Sequence, residues 1–212
     1  MDTRTTRRHS LVSSTIYLEG GGDARDLNIR CREGFRRLLE KCGYRGQMPR
    51  LVAGGGRDAA FDAFNTALTK TNETDFVGLW IDSEDPLDDI NAAWDHLAIR
   101  DRWTKPTDAT DEQVLFMATC METLIVADRE TLADFYGSEL QESALPALNN
   151  LESRARDVIQ NALTRATRNC SNAYTKGKRS FDVLGRLDPA TLVKHLPSFV
   201  RVRRILGKVL ME

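Results

Sequence analysis

The sequence predicts an α/β protein with a Rossmann-like, mostly parallel sheet flanked by helices and with a helical C-terminal region. Short apolar strands alternate with amphipathic helices between residues 11 and 81, and this alternation is typical of parallel strands joined by right-handed crossovers. Two of the strands end in carboxylates that are followed by glycine or proline. The last third of the chain has helical periodicity instead.

The first half of the chain follows a β-α-β-α-β order. Gly43 is expected to end the first helix, and Asp23 is expected to cap its beginning. In chain order, the sequence predicts strand 11–18, helix 24–41, strand 50–53, helix 58–70, strand 76–81 and helix 89–99. We expect a frayed start over residues 1–10 and the α/β domain over residues 11–140.

The second half is mainly helical. Residues 113–120 alternate weakly and are predicted as a fourth strand, whereas residues 121–128 fit a strand or a helix equally well. Beyond them the sequence predicts helices 129–136, 151–168, 181–187 and 189–210, the last broken at Pro197. We expect residues 141–212 to pack on the same core as the α/β domain.

The composition is that of an ordinary globular protein. Its 212 residues include 30 Lys and Arg against 31 Asp and Glu, which gives a net charge of -1, so any affinity for nucleic acid has to come from local patches. Four widely spaced cysteines without a C-x-x-C pair favour reduced thiols and a cytoplasmic location. No apolar run is long enough to cross a membrane.

The acidic ends of the first and third strands predict a metal site. Glu19 and Asp23 follow the first strand, and Asp82 and Glu84 follow the third, so the four side chains converge if these strands are neighbours. Two carboxylates about 4 Å apart repel each other by roughly 4 kcal/mol at an effective dielectric constant near 20. Such a cluster implies a bound cation or raised pKa values, and oxygen ligands favour Mg²⁺ or Mn²⁺.

A structural interpretation of the same residues stays open. Glu19 and Asp23 also suit the beginning of a helix, and Asp82 and Glu84 suit a polar turn before Pro86. The competing motifs are weaker, because the chain has no G-x-x-x-x-G-K-[ST] sequence and its histidines are isolated. The sequence therefore favours a hard-metal site over nucleotide hydrolysis by a P-loop.

The pair Glu19-Gly20-x-x-Asp23 and Asp82-x-Glu84 resembles the TOPRIM domain of topoisomerases, primases and the overcoming-lysogenization-defect nucleases, and its Asp-x-Glu form is closer to the nuclease branch. More closely, the chain resembles a bacterial, TOPRIM-like family known as domain of unknown function 4276. The similar segments are residues 17–23, 80–86, 120–123, 127–129, 176–178 and 187–189.

The resemblance implies roles for individual residues. Glu19 would be a metal ligand or general base, and a late lysine, Lys176 or Lys178, would offset charge on the phosphoryl group. The remaining ligands of one or two metal ions would be Asp23, Asp82 and Glu84. Glu122 would add a further ligand, as Asp128 also could, or these residues would contact the lysine loop. The alternative interpretations are that Glu122 is an exposed helix residue and that the lysine loop is a solvated turn.

The leading interpretation is a Mg²⁺-dependent TOPRIM-type nuclease that acts on DNA or RNA. The resemblance implies a bacterial anti-phage defence system in which an ATPase encoded nearby is the partner. One alternative is a non-catalytic adaptor that keeps the acidic fold and binds the ATPase. A primase-like nucleotidyl transfer is a third interpretation, against which the lack of a second catalytic domain in 212 residues counts.

Overall fold

The computed structural model describes residues 13–70 and 75–211. The expected frayed start and the first two residues of the predicted first strand lie outside the described residues. Within them, the strands are β1 (Ser14–Leu18), β2 (Arg50–Ala53), β3 (Phe76–Asp82) and β4 (Val114–Met117). The helices are α1 (Arg25–Leu39), α2 (Arg57–Leu68), α3 (Ala93–Arg100), α4 (Met121–Ala127), α5 (Arg129–Tyr136), α6 (Arg156–Thr167), α7 (Lys178–Leu184), α8 (Pro189–His195) and α9 (Pro197–Met211).

The four strands form one sheet in the order β2-β1-β3-β4, and every neighbouring pair is parallel. This arrangement confirms the predicted α/β class. In register, Leu18 of β1 lies beside Trp80 of β3, and Asp82 lies beside Met117 of β4. The first and third strands are therefore neighbours, and their carboxyl ends lie side by side at one edge of the sheet.

Several predicted boundaries are corrected by local geometry. Helix α1 begins at Arg25, and no side chain caps it, so the predicted cap by Asp23 is wrong. Positive φ angles at Gly20, Gly21 and Gly22 (135°, 87° and 53°) turn the chain before the helix starts. Residues 121–127 of the undecided segment 121–128 form α4, and helix α6 begins only at Arg156, after a short 3₁₀ turn over Leu151–Ser153.

The sheet is covered on both faces. Leu79 of β3 belongs to the apolar cluster that contains Phe64 of α2, whereas the next residue, Trp80, belongs to the cluster that contains Phe35 of α1. The rings of Phe35 and Trp80 meet edge to face, with centroids 4.8 Å apart. Phe199 of α9 lies in the same cluster as Phe35. The C-terminal helices and α1 thus share one side of the sheet.

Helices α1 and α7 approach each other very closely at Gly34. A Cβ atom at this position would lie 2.7 Å from the backbone oxygen of Phe181. Only glycine lets the two backbones come this near, so α7 and the lysine-bearing loop before it are placed by α1.

Gly34→Ala is expected to destabilise the protein. Alanine favours a helix by about 1 kcal/mol over glycine, but a clash with backbone atoms typically costs about 1–3 kcal/mol, so we expect a net loss and a lower melting temperature. Gly46→Ala is the matched control, because a Cβ there meets nothing within 4 Å. Thermal unfolding measures both, and a Gly34→Ala variant as stable as the control would contradict the close contact.

The helices were compared with the length and hydropathy of a membrane-spanning segment. In the ranges 13–70 and 75–211, none combines the length and hydropathy needed to cross a bilayer.

Candidate metal centre

Glu19 and Asp82 meet at the carboxyl edge of the sheet. The backbone N–H of Glu19 extends the pairing of β1 with β3 by donating to the carbonyl oxygen of Trp80 at 3.0 Å. The side chain of Glu19 then accepts a hydrogen bond from the backbone N–H of Asp82 at 3.1 Å. Strand pairing alone thus brings these two residues, 63 positions apart in sequence, into contact.

Glu84 joins them through an unusual turn. Its φ angle is 68°, in the left-handed region that residues other than glycine seldom adopt. Its backbone N–H donates to the carbonyl oxygen of Thr119 at 2.8 Å, which ties the turn after β3 to the loop after β4. One carboxylate oxygen from each of Glu19, Asp82 and Glu84 lies within 4.8 Å of the others.

Arginines surround this acidic cluster. Arg57 contacts Glu19 at 3.3 Å and Asp101 at 2.7 Å. Arg156 is ion-paired with Glu84 and lies 3.9 Å from Asp82. Arg100 also approaches Glu84, at 3.5 Å. None of these three arginines is predicted from the sequence, because they come from three separate helices and share no motif.

A cavity of about 340 Å³ opens beside the cluster. Among the predicted site residues, those that line it are Glu19, Asp23, Asp82, Glu122 and Lys176. Within the described chain, Glu84 and Lys178 are not part of this lining. The loop before α7 therefore presents Lys176 to the cavity, while Lys178 is an exposed residue in the first turn of α7.

Glu122 is buried and held by two partners. It accepts a hydrogen bond from the Tyr174 hydroxyl at 2.5 Å and another from the Gln160 side-chain amide at 3.2 Å. The expectation of an exposed helix residue is therefore wrong. Its partners Tyr174 and Gln160 are not predicted from the sequence, since nothing in their spacing links them to Glu122.

Asp128 does not join the site. Its carboxylate accepts hydrogen bonds from the backbone and hydroxyl of Thr131 at 3.0 and 2.8 Å, which caps helix α5. It also accepts from the backbone N–H of Asp188 at 2.8 Å, just before α8. Asp128 thus joins two helices, and its role here is structural.

The donor set fits a hard divalent cation. Burial raises the pKa of Asp82 well above its ordinary value of 3.8, and the nearby charges of Glu19 and Glu122 raise it further. Arg156 and Lys176 act in the opposite sense. Among the described residues, Glu19 Oε1 accepts no hydrogen bond, so it is free to bind an ion.

The spacing of the oxygens agrees with one shared ion. Mg²⁺ binds oxygen at about 2.0–2.1 Å and larger cations bind at about 2.3–2.6 Å, so two ligands of one ion are at most about 4.2 Å apart for Mg²⁺ and about 5 Å apart for a larger cation. The separation within 4.8 Å found for Glu19, Asp82 and Glu84 lies in that range. The arginines that flank the cluster lower its net charge, and so they compete with a cation for the same oxygens.

Asp82→Asn is expected to stabilise the metal-free protein. Because the pKa of Asp82 is higher in the folded chain than in the unfolded one, ionisation weakens folding as the pH rises from the ordinary value towards the raised one. Asparagine cannot ionise and can still accept the hydrogen bond that Met121 N–H donates to Asp82 Oδ1 at 2.8 Å.

The variant should therefore melt at a higher temperature than wild type, and each gain of about 1 kcal/mol corresponds to a rise of about 2–4 °C for a chain of this length. Melting curves in EDTA at several pH values measure it. The advantage of the variant should be absent below the ordinary pKa of an aspartate and grow as the pH rises. A variant that is less stable than wild type at neutral pH would contradict the raised pKa.

The cysteines offer no competing chemistry. All four are buried and free of disulfides. Burial raises the pKa of the Cys31 thiol to about 12 and that of the Cys42 thiol to about 11, so both stay protonated near neutral pH and are poor nucleophiles.

The fold and the site define a class: α/β proteins in which a parallel sheet carries a carboxylate cluster suited to a divalent cation at its carboxyl edge. The chain belongs to the family described as Domain of unknown function (DUF4276), whose model matches residues 18–206, as the sequence resemblance predicted. The comparison with curated proteins found no match, and the comparison with solved structures found none either.

Proposed function

We propose that the protein is a Mg²⁺- or Mn²⁺-dependent phosphodiesterase of the TOPRIM type that cleaves DNA or RNA. The observation that carries the proposal is the set of three carboxylates, Glu19, Asp82 and Glu84, with oxygens within 4.8 Å of one another. Lys176 lines the cavity beside Glu19 and Asp82, which adds a cation where a phosphate would sit.

In this proposal, different residues of the chain contribute to hydrolysis in different ways. A divalent ion, when bound, lowers the pKa of a coordinated water and polarises the phosphate. Glu19, Asp82 and Glu84 would hold this ion, and Glu122, fixed by Tyr174, lines the cavity beside them. Lys176 offsets the negative charge that develops on the phosphoryl group.

Asp23 and Lys178 have smaller parts in this proposal. Asp23 is exposed and lines the cavity, where it would reach the ion through a bound water. Lys178 lies outside the lining, so it would meet the substrate backbone rather than the reacting phosphate.

The biological setting belongs to the same proposal. We propose a bacterial, cytoplasmic role as the effector of an anti-phage defence system with an ATPase partner, which the family resemblance implies. The net charge of -1 supports the need for a partner, because phosphate contacts ordinarily supply much of the affinity for nucleic acid. The isolated chain is therefore expected to cleave weakly.

One observation favours a second candidate function, a non-catalytic adaptor that binds the ATPase. Arg57 and Arg156 pair with Glu19 and Glu84, so the acidic cluster is partly neutralised without a cation. In this alternative the carboxylates stabilise the edge of the sheet and the surface of the fold binds the partner.

Metal binding separates the two candidates. We expect calorimetry to show Mn²⁺ binding to the wild-type chain at millimolar concentration or below, and labelled DNA or RNA to be cleaved only when Mn²⁺ or Mg²⁺ is present. Lys176→Met should lower the cleavage rate about 100-fold while Mn²⁺ binding is retained. If millimolar Mn²⁺ does not bind, the adaptor is favoured and the nuclease proposal fails.

A further inference from the structure

The cavity beside the carboxylates also has an apolar side. Leu27 of α1 and Phe181 of α7 line it, and both pack against glycines of the cavity wall. Phe181 lies 3.2 Å from the position that a Cβ of Gly20 would occupy, and Leu27 lies 3.8 Å from that of Gly177. The side chains of Leu27 and Phe181 thus give the cavity an apolar part of its wall, next to residues that carry charge.

Met117 and Met121 extend this apolar surface to the acidic cluster. Both line the cavity, Met117 lies beside Asp82 in the register of β3 and β4, and the backbone of Met121 donates a hydrogen bond to the Asp82 carboxylate. An apolar ring that touches the methionines would therefore lie directly next to the metal ligands.

The charges on the wall restrict what can occupy the apolar side. The carboxylates of Glu19, Asp23, Asp82 and Glu122 line the cavity, and Lys176 is the one basic residue among the described lining residues. Away from the ion, an anionic group would meet repulsion here. A neutral, flat group with apolar faces would not.

We infer that the apolar side holds the base of an unpaired nucleotide, so that the substrate is single-stranded nucleic acid. This inference rests on the proposed function, because it requires a phosphodiester at the carboxylates. The volume of about 340 Å³ is near the lower end of the range of about 300–1,000 Å³ for ligand pockets. It suits one nucleotide, whereas a base inside a duplex would first have to be unstacked and unpaired.

Calorimetry with two probes tests the base pocket directly. Adenosine 5′-monophosphate and ribose 5-phosphate share the sugar and phosphate and differ in the base. We expect the wild-type chain to bind adenosine 5′-monophosphate at least about 10-fold more tightly in the presence of Mn²⁺, since stacking of a base on an aromatic side chain adds to affinity. Leu27→Trp, which fills the cavity, should abolish the difference.

Cleavage supplies an independent readout. A labelled single strand should be cut at least about 10-fold faster than the same strand in a duplex. Equal binding of the two probes by the wild-type chain, or unchanged discrimination in a folded Leu27→Trp variant, would overturn the base pocket. Preferential binding of adenosine 5′-monophosphate by a chain that neither binds Mn²⁺ nor cleaves would support the pocket and overturn the proposed phosphodiesterase instead.

Discussion

Replacing Glu19 by glutamine is expected to weaken Mn²⁺ binding more than about 100-fold and to lower the rate of metal-dependent cleavage about 1000-fold. Glutamine keeps the length of the side chain, and its oxygen can still accept the hydrogen bonds that Arg57 and the Asp82 backbone donate at 3.3 and 3.1 Å. The fold should therefore survive while the negative charge that attracts the cation is lost.

The matched control for this substitution is Glu33→Gln. Glu33 is an acid on α1 whose contact is an exposed ion pair with Arg37 at 2.8 Å, and such pairs contribute little to stability. Calorimetry with Mn²⁺ and a labelled-substrate assay measure both variants. A Glu19→Gln variant that cleaves at the wild-type rate would show that Glu19 is not part of the proposed active site. Equal losses of cleavage in both variants would point to a general effect of lost charge.

Asp128→Ala is expected to lower the free energy of unfolding by about 3 kcal/mol. Loss of a helix cap costs about 0.5–2 kcal/mol, and a hydrogen bond to a charged group contributes about 1.5–3 kcal/mol more. Asp128 supplies both functions, since it caps α5 through Thr131 and accepts from the N–H of Asp188. For a chain of this size, the melting temperature should fall by about 6–12 °C.

Asp134→Ala serves as the comparison for Asp128, because Asp134 is an exposed acid on the same helix. Its substitution should change stability by less than about 0.5 kcal/mol. Mn²⁺ binding by folded Asp128→Ala should match wild type. A loss of stability no greater than that of Asp134→Ala, or a loss of Mn²⁺ binding by a folded variant, would show that the structural role assigned to Asp128 is wrong.

The sequence predicts the sheet well, because local chemistry determines it. The β-branched and aromatic residues of β1 and β3 mark both strands, and the helices between them require a parallel connection. The meeting of Glu19 and Asp82 required one further condition, that β1 and β3 are neighbours. The sequence left this condition open, and the strand order of the sheet fulfils it.

Other parts of the site depend on contacts that no local pattern encodes. The carboxylates are contacted by three arginines from separate helices, Arg57, Arg100 and Arg156. Arg156 and its partner Glu84, for example, are 72 positions apart in sequence. Segment 121–128 could not be assigned because all of its residues are buried, so it shows no contrast between an apolar and a polar face. The hydrogen bond from Tyr174 to Glu122 could not be predicted either, because nothing in the spacing of these two residues links them.

The backbone contact at Gly34 determines how the cavity can change shape. Since α1 and α7 touch through main-chain atoms, neither helix can slide without moving the other, and the two walls that they form behave as a single rigid body. Tyr174 is anchored on Glu122, so residues 175–177 connect that anchor to α7. Lys176 is exposed within this short connection, so we expect the side chain that we propose to meet the phosphate to be the part of the cavity wall that adjusts to an incoming strand.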